Sequence, residues 1–380
     1  MIVTEAMKLY LDGCQEELKQ LIRDLCAIPA PSGQEEKRAE FCKAWFEQAG
    51  GKGVYIDEAL NVICPHCVTE NSPITVFMAH TDTVFPDLEP MSFVETEETF
   101  QCPGVGDDTA NLAVLMVCAR YFLQNNIPSK TGILFVANSC EEGLGNLKGS
   151  RAIVDTFGSR MEALVTFDGF ALNKLVNVAV GSHRYRVTVR TEGGHSFGAF
   201  GNRNAIAVLA NLINTLYGVK VPKEGNSKTT YNVGTIQGGT SVNTIAQEAQ
   251  MLYEYRSDSL PCLTKMRDMF TKVIEAYRAT GVEIDVEMVG DRPCAAGVDP
   301  AALDALCAKA TDSIRRVTGL EPSFHSGSTD CNASLSKGIS SVCMGLCVAS
   351  GAHTRTETLQ LSSLPGGCAL CMDFLCQHFD

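Results

Sequence analysis

The sequence lacks a long apolar run. Its longest unbroken apolar stretch covers residues 112–119, whereas a membrane-spanning helix needs roughly 20 such residues. The first five residues also lack the basic-then-apolar layout of a signal peptide. We therefore expect a cytoplasmic protein without a membrane partner.

Positive charge is scarce as well. The chain has 31 Lys and Arg against 44 Asp and Glu, which gives a net charge of −13. Because such a balance disfavours binding to nucleic acid or to an anionic membrane, neither is expected as a partner. Fixed-period repeats and low-complexity tracts are also missing. At 380 residues the chain is longer than one ordinary domain, so two domains are expected.

Cysteine, in contrast, is abundant, with 17 residues. The count is odd and the chain is long, so reduced thiols are favoured over a disulfide scaffold. Two pairs have the C-x-x-C spacing, Cys64 with Cys67 and Cys368 with Cys371. The first lies between predicted strands, without the helix N-terminus that lowers a thiol pKa, and the second lies in an apolar helix. A redox role is therefore not favoured for either pair.

Apolar patterns predict an α/β fold. A first helix is predicted over residues 4–28. Short apolar runs at 74–79, 133–138 and 163–167 are typical of strands buried on both faces, and a buried helix is predicted over 108–123. Strands that alternate with helices in this way indicate a mostly parallel sheet flanked by helices.

The pattern of polar and apolar residues changes near residue 180. Alternating polar and apolar residues then predict strands with one wet face, and the order β-α-β-β-α-β indicates a small antiparallel sheet of the ferredoxin-like kind with helices on one face. We therefore predict a larger α/β domain formed by residues 1–180 and 291–380. An inserted α+β domain of residues 181–290 interrupts it.

Polar residues follow three of the predicted strands. His80 and Asp82 come after the run 74–79, and a His close to an Asp can bind a metal while the carboxylate orients the ring. Glu141 and Glu142 follow the second run, and Asp168 follows the third. In open α/β sheets, ligands bind at this edge of the strands.

The adjacent Glu141 and Glu142 repel each other unless a cation or a shared proton compensates. With a metal present, one carboxylate can bind the ion while the other accepts a proton. Asp107 and Asp108 precede the buried helix, where Asp108 or Thr109 can cap the helix and Asp107 is left for a cation. His353, near the C-terminus, provides a further imidazole that could bind a metal. Asp168 and His353 taken alone are each more often structural, but all of these residues together predict a metal site.

The motifs in their order resemble those of metallopeptidase family M20, and within it the peptidase T-like tripeptide aminopeptidases. The matching segments are His80-Thr81-Asp82, Gly104-Val105-Gly106-Asp107-Asp108, Glu141-Glu142-Gly143, Phe167-Asp168-Gly169 and Gly351-Ala352-His353. The chain departs from the family pattern at Thr109 and Asn111, where Lys and Gly are usual.

The resemblance implies two zinc ions, for which Co²⁺ or Mn²⁺ can substitute. Asp107 would bridge them, His80 and Asp168 would hold one ion, and Glu142 and His353 would hold the other. The resemblance also implies a cis peptide bond between Asp107 and Asp108.

Further roles follow from the same resemblance. Glu141 would be the general base, and Asp82 would stand behind His80 and orient it. His195, in Gly193-Gly194-His195-Ser196, would polarise the scissile carbonyl when an inserted lid domain closes. Substrate contacts are expected at Arg203, Asn243 and Ser328.

The expected activity is hydrolysis of amide bonds in small peptides, most specifically by an aminopeptidase acting on dipeptides or tripeptides. An M20-type carboxypeptidase or N-acyl-amino-acid deacylase is the alternative, and a metal-binding scaffold without turnover is a remote one. A homodimer through the inserted domain is possible in this family.

Overall fold

A computed structural model describes residues 1–379. The chain divides into two compact units. One comprises Met1–Ala179 together with the chain from Ala296 onwards, and the other is Val180–Ala295. The predicted inserted segment, residues 181–290, falls inside the second unit, and its roles as a lid or a dimerisation element stay predictions.

The ten α-helices of residues 1–379 are α1 (Glu5–Gly13), α2 (Gln15–Cys26), α3 (Glu36–Gln48), α4 (Asn111–Gln124), α5 (Lys148–Phe157), α6 (Ala205–Tyr217), α7 (Leu260–Arg278), α8 (Pro300–Thr318), α9 (Cys331–Leu335) and α10 (Leu364–Cys376). None of these helices is long and apolar enough to span a bilayer.

The strands of the same residues are β1 (Tyr55–Ile56), β2 (Val62–His66), β3 (Ile74–His80), β4 (Val94–Glu95), β5 (Thr99–Gln101), β6 (Gly132–Asn138), β7 (Met161–Phe167), β8 (Lys174–Ala179), β9 (Gly181–Arg190), β10 (Gly194–His195), β11 (Thr229–Gly238), β12 (Thr244–Ile245), β13 (Glu248–Ser257), β14 (Glu283–Arg292), β15 (Ser323–Gly327), β16 (Ser340–Met344), β17 (Ala349–Ser350) and β18 (Thr358–Gln360).

The first unit is built on an eight-stranded sheet with the order β1-β2-β6-β3-β7-β16-β8-β15. The four central strands β6, β3, β7 and β16 are mutually parallel. The pairings of β1 with β2, of β2 with β6 and of β8 with β16 are antiparallel. The predicted mostly parallel sheet is therefore confirmed.

The central strand β3 is buried along its whole length, because both faces of the sheet are covered. Phe77 lies on one face, where its ring contacts those of Phe135 and Phe374 at 6.3 and 6.2 Å between centroids. Val76, on the opposite face, belongs to a second apolar cluster with Ile153 of α5. A strand between two apolar layers forms a nearly continuous apolar run, interrupted here only by Thr75, and this run predicted the strand from the sequence.

The predicted single helix over residues 4–28 is wrong, because the structure has two helices there. Gly13 ends α1, and Cys14 leaves helical geometry with φ −99° and ψ 5°. Glycine weakens a helix interior, and the break lets α1 pack on α10 while α2 packs on α4. The apolar spacing continues through the break, so the pattern alone did not show it.

A small antiparallel sheet with the order β17-β18-β5-β4 also belongs to the first unit. The sequence did not predict it, because each of its strands has only two or three residues. It matters for the site, since β17 and β18 form a hairpin and β5 pairs with β18.

The second unit contains a four-stranded antiparallel sheet, ordered β11-β13-β9-β14. Its inner face packs on α6 and α7. The rings of Tyr185 and Tyr253 lie 4.5 and 5.4 Å from that of Phe270 on α7, and Leu209 of α6 joins the same cluster. The four strands of this sheet and the two helices follow one another in the predicted β-α-β-β-α-β order, and the two-residue strands β10 and β12 pair separately.

All seventeen cysteines are free thiols, and Cys67 is the exposed one. Burial raises the pKa of Cys64, its C-x-x-C partner, to about 12. Cys368 and Cys371 lie in the buried part of α10. A thiol whose pKa is raised this far is a poor nucleophile at neutral pH, which disfavours redox chemistry at Cys64.

Candidate metal centre

The candidate site lies at one edge of the large sheet. His80 is the last residue of β3, Glu141 and Glu142 follow β6, and Asp168 directly follows β7. Because β6, β3 and β7 are neighbouring parallel strands, their carboxyl ends meet at this edge. The register of the sheet therefore gathers residues that lie up to 88 positions apart in the sequence.

Asp107 reaches the site from the turn before α4. The peptide bond between Asp107 and Asp108 is cis, as the resemblance implied. The two acids have different partners. The carboxylate of Asp108 accepts hydrogen bonds from the backbone N–H of His80 (2.9 Å) and from the side chain of Asn111 (2.7 Å). Asp108 thus fastens the turn to β3, and Asp107 is left to face the imidazoles.

His353 reaches the site from the loop of the β17–β18 hairpin, where it has a positive φ of 60°. Its Nε2 lies 3.0 Å from a carboxylate oxygen of Glu142 and 3.3 Å from one of Asp107. The side chain is 54% exposed, whereas that of His80 is fully buried. His80 places its Nε2 3.1 Å from the other carboxylate oxygen of Asp107.

The five predicted ligands form two groups that share Asp107. His80, Asp107 and Asp168 make one group, and Asp107, Glu142 and His353 make the other. Within each group the nitrogen and oxygen atoms that could bind a metal lie within 4.8 Å of one another. Two three-residue groups that share one carboxylate could hold a pair of neighbouring cations.

The pKa shifts of the clustered acids and histidines fit a cation site. Burial, together with the charges of Asp107 and Glu142, raises the pKa of Asp168 to about 7. Hydrogen bonds to Asp107 and Glu142 raise the pKa of His353 to about 10. Burial by itself lowers the pKa of His80, but neighbouring carboxylates raise it well above its ordinary value. Clustered carboxylates thus need nearby positive charge.

The donor types also suit a metal. Imidazole nitrogen and carboxylate oxygen are common ligands of Zn²⁺ in proteins, and they also accept Co²⁺ and Mn²⁺. Two imidazoles and three carboxylates therefore fit two divalent ions. A divalent ion in each group would supply the positive charge that the acids require.

Asp82 lies behind His80, fully buried. One of its oxygens lies 3.4 Å from Nδ1 of His80, and its carboxylate accepts the backbone N–H groups of Glu141 and Glu142, each at 2.9 Å. Burial opposes ionisation of Asp82, yet hydrogen bonds from His80, Ser32 and the backbone lower its pKa. One carboxylate thus contacts the ring of His80 and holds the turn that carries both glutamates.

Glu141 is 5% exposed. It groups with His80 and Glu142 in a third set of potential ligand atoms within 4.8 Å of one another. The carboxylate therefore lies beside the two candidate metal groups, as a base acting on a water molecule there would have to.

His195 belongs to the second unit, where β10 pairs with β12. Its Nδ1 accepts hydrogen bonds from the backbone N–H groups of Phe197 and Gly198, both at 3.3 Å. An imidazole nitrogen that accepts carries no proton, so the neutral ring carries its proton on Nε2. The exposed ring thus presents a hydrogen-bond donor.

The three predicted substrate contacts have varied surroundings. Arg203 donates to Glu192 and to the carbonyl of Thr280, at 3.3 and 3.2 Å, so part of its guanidinium is already engaged. Asn243 is exposed and accepts a hydrogen bond from Ser241 at 2.8 Å. Ser328 lies half-buried between β15 and α9.

Several residues around the site were missed by the sequence reasoning. Ser32 donates to Asp82 at 2.5 Å, Glu35 accepts the backbone N–H of Cys140 at 3.0 Å, and Glu357 accepts backbone N–H groups of the Asp107 turn. Each lies far along the chain from its partner, and no local motif marked the pairing.

The chain is similar to known proteins over most of its length. Residues 76–377 match the model of peptidase family M20/M25/M40. An uncharacterized protein of Bacillus subtilis, YqjE, is 24% identical over 91% of this chain and 95% of its own length. A succinyl-diaminopimelate desuccinylase of Shewanella pealeana is 23% identical over 82% of this chain and 84% of its own.

Solved structures share the fold. An aminopeptidase PepT of Bacillus cereus superposes with a TM-score of 0.72 at 21% identity, and a tripeptidase of Staphylococcus aureus with 0.76 at 22%; each match covers 95% of this chain and 97% of the other. A dinuclear metal-binding peptidase of Bacillus subtilis gives 0.65 at 17% identity, over 97% of this chain and all of the other. At these identities the likeness establishes the fold.

Proposed function

Because the chain belongs to peptidase family M20/M25/M40, and is thus a hydrolytic enzyme, we propose that it is a two-zinc aminopeptidase that acts on dipeptides and tripeptides. The observation that carries the proposal is the pair of ligand groups that share Asp107. Two ions held there would acidify a water molecule and polarise the scissile carbonyl.

In this proposal, side chains of the protein transfer the proton and stabilise the carbonyl oxygen. Glu141 takes the proton of the attacking water and passes it to the leaving amine. Asp82 keeps Glu141 in place through the backbone N–H that it accepts. His195 donates from Nε2 to the carbonyl oxygen as negative charge develops there, an interaction whose loss typically costs about 3–4 kcal/mol.

Amino-terminal specificity is tested with one tripeptide in three forms: free, N-acetylated and C-amidated. The purified protein, supplied with Zn²⁺, Co²⁺ or Mn²⁺, is incubated with each, and products are identified by mass spectrometry. We expect release of the amino-terminal residue from the free and amidated forms and no cleavage of the acetylated form. Failure to cleave the free peptide with any of the three metals would refute the proposal.

An N-acyl-amino-acid deacylase or a carboxypeptidase is the second candidate. The similarity to a succinyl-diaminopimelate desuccinylase favours it. A deacylase would release the acyl group from an N-acyl amino acid, and a carboxypeptidase would release the last residue of the free and acetylated peptides. The same three substrates, with an N-succinyl amino acid added, therefore separate all the candidates.

We also propose that the second unit pairs with a second copy of the chain. α6 and β11 contain no charged residue, and β11 is an edge strand of its sheet. Ile206, Tyr217 and Ile236 on these elements are 42%, 48% and 55% exposed. An uncharged edge strand is suited to pairing with another chain. Sedimentation of the purified protein should give the mass of a dimer, and a monomer would exclude this proposal.

A further inference from the structure

The Asp107 turn is held by a carboxylate from the other end of the chain. One oxygen of Glu357 accepts the backbone N–H groups of Gly106 and Asp107, at 2.7 and 2.8 Å. Its other oxygen accepts the N–H of Gly104 at 3.2 Å. The turn that carries the shared ligand therefore directs three N–H groups at one side chain, which is itself 0% exposed.

Glu357 also belongs to the loop that carries His353. The β17–β18 hairpin contains His353 early in its loop and Glu357 directly before β18. The backbone carbonyl of Glu357 accepts the N–H of Cys102 at 3.0 Å, which extends the pairing of β18 with β5. Glu357 thus joins the His353 hairpin to the Asp107 turn through its side chain and to the end of β5 through its backbone carbonyl.

The turn is shaped to admit that carboxylate. A Cβ on Gly106 would lie 3.2 Å from an oxygen of Glu357 and only 2.6 Å from the Cβ of Ala349. Gly104 adopts φ 76°, a conformation that glycine accepts without penalty. The two glycines before Asp107 therefore let the backbone approach the hairpin closely enough for all three hydrogen bonds.

We propose that Glu357 is a positioning residue that locks the Asp107 turn to the His353 hairpin, so that Asp107 can be shared between the two ligand groups. This inference rests on the proposed two-metal function. Without the lock, the Asp107 turn keeps its attachment to β3 through Asp108, whereas its distance to His353 is no longer fixed. The group of Asp107, Glu142 and His353 should therefore lose affinity for its ion, more than the group of His80, Asp107 and Asp168.

Glu357→Gln is the sharpest variant. The amide keeps one oxygen, which can still accept two of the N–H groups, but its NH₂ faces the third donor, which is then unsatisfied. The shape of the side chain is unchanged, so the fold should persist. Glu98→Gln, which neutralises an exposed glutamate between β4 and β5, is the matched control.

The experiment measures metal binding on the full chain. Metal-free protein is titrated with Co²⁺ and followed by its absorption spectrum and by calorimetry. The unaltered protein and Glu98→Gln should bind two ions. Glu357→Gln should bind one with nearly normal affinity and the second about 10–100-fold more weakly, the range for residues that orient metal ligands. Excess metal should restore kcat while KM for the peptide stays unchanged.

If Glu357→Gln bound both Co²⁺ ions with normal affinity, the inference would be overturned. Equal weakening of both sites together with a lowered Tm would also overturn it, because that result indicates a merely structural role. Glu357→Asp, which keeps the charge but withdraws the oxygens, provides the same comparison should the glutamine variant not fold. Failure of the unaltered protein to bind two ions would instead refute the proposed function, so the two failures are distinguishable.

Discussion

Glu141 and Glu142 are neighbours of the same residue type, yet opposite outcomes are expected when each is changed to glutamine. Glu141→Gln should bind two metal ions and lose turnover, whereas Glu142→Gln should lose metal. The reason is geometric. Glu142 contacts His353 at 3.0 Å and belongs to the group around Asp107, while Glu141 lies beside both groups as the proposed base.

The size of the kcat effect follows from general-base catalysis. Removing a positioned base costs about 10²–10⁴-fold, which corresponds to about 3–5 kcal/mol of barrier at 1.36 kcal/mol per tenfold. The fold should be unaffected, because Asp82 accepts the backbone N–H of residue 141 whatever its side chain. Removing one charge from the acidic cluster should also leave the metal-free protein as stable or more stable.

The assay is tripeptide hydrolysis combined with metal analysis of the same protein samples. Loss of kcat with a full complement of two ions is expected for Glu141→Gln. Loss of an ion in that variant would show that Glu141 is a ligand, and a kcat within tenfold of the unaltered enzyme would show that it is not the base. Either result would refute the reasoning.

Three further predictions concern other parts of the molecule. His195→Gln should lower kcat about 10²–10³-fold, the typical cost of losing an oxyanion donor, and ¹⁵N spectra of the free enzyme should show the proton of His195 on Nε2; a proton on Nδ1 would contradict the hydrogen bonds described. Chelation should abolish activity and lower the Tm, since an ion at 100 times its Kd stabilises the folded state by about 2.7 kcal/mol; full activity after verified metal removal would exclude a metal-dependent reaction. Burial lowers the pKa of His378 from its ordinary 6.5 to about 3, so its contribution to stability is present above pH 6.5 and is lost as the pH falls towards 3. Between pH 7.5 and 5 the unaltered protein should therefore lose about 2 kcal/mol more stability than His378→Phe, whose ring suits the aromatic contacts with Phe77 and Phe374; equal losses in urea unfolding would contradict the assignment.

The part of the site that follows strand ends could be predicted from the sequence. The run that became β3 is apolar except for Thr75, because both of its faces are buried, and it ends at the polar residue His80. Asp168 likewise directly follows β7, whose last five residues are buried. Parallel strands bring such positions together automatically, so position along the chain was enough to group them.

The supporting contacts could not be predicted in this way. The carboxylate of Glu357 and the N–H of Gly106 are 251 residues apart in the chain, and Ser32 and Asp82 are 50 apart. Neither pair leaves a local period or spacing. The small sheet that brings the Asp107 turn beside the His353 hairpin is built from strands of two or three residues, too short for alternation to be seen.

The two doubled acids show what a motif leaves undecided. The sequence pattern left Asp107 of the first pair for the metal, but in the second pair either glutamate could bind the ion, and only the resemblance made Glu142 the ligand and Glu141 the base. The backbone hydrogen bonds distinguish the members of the first pair: Asp108 accepts the N–H of His80, which commits it to holding β3, whereas Asp107 contacts both imidazoles. In the second pair, Asp82 accepts both backbone N–H groups equally, at 2.9 Å each. The division of work between Glu141 and Glu142 therefore rests on side-chain direction alone, and the paired glutamine substitutions measure that property.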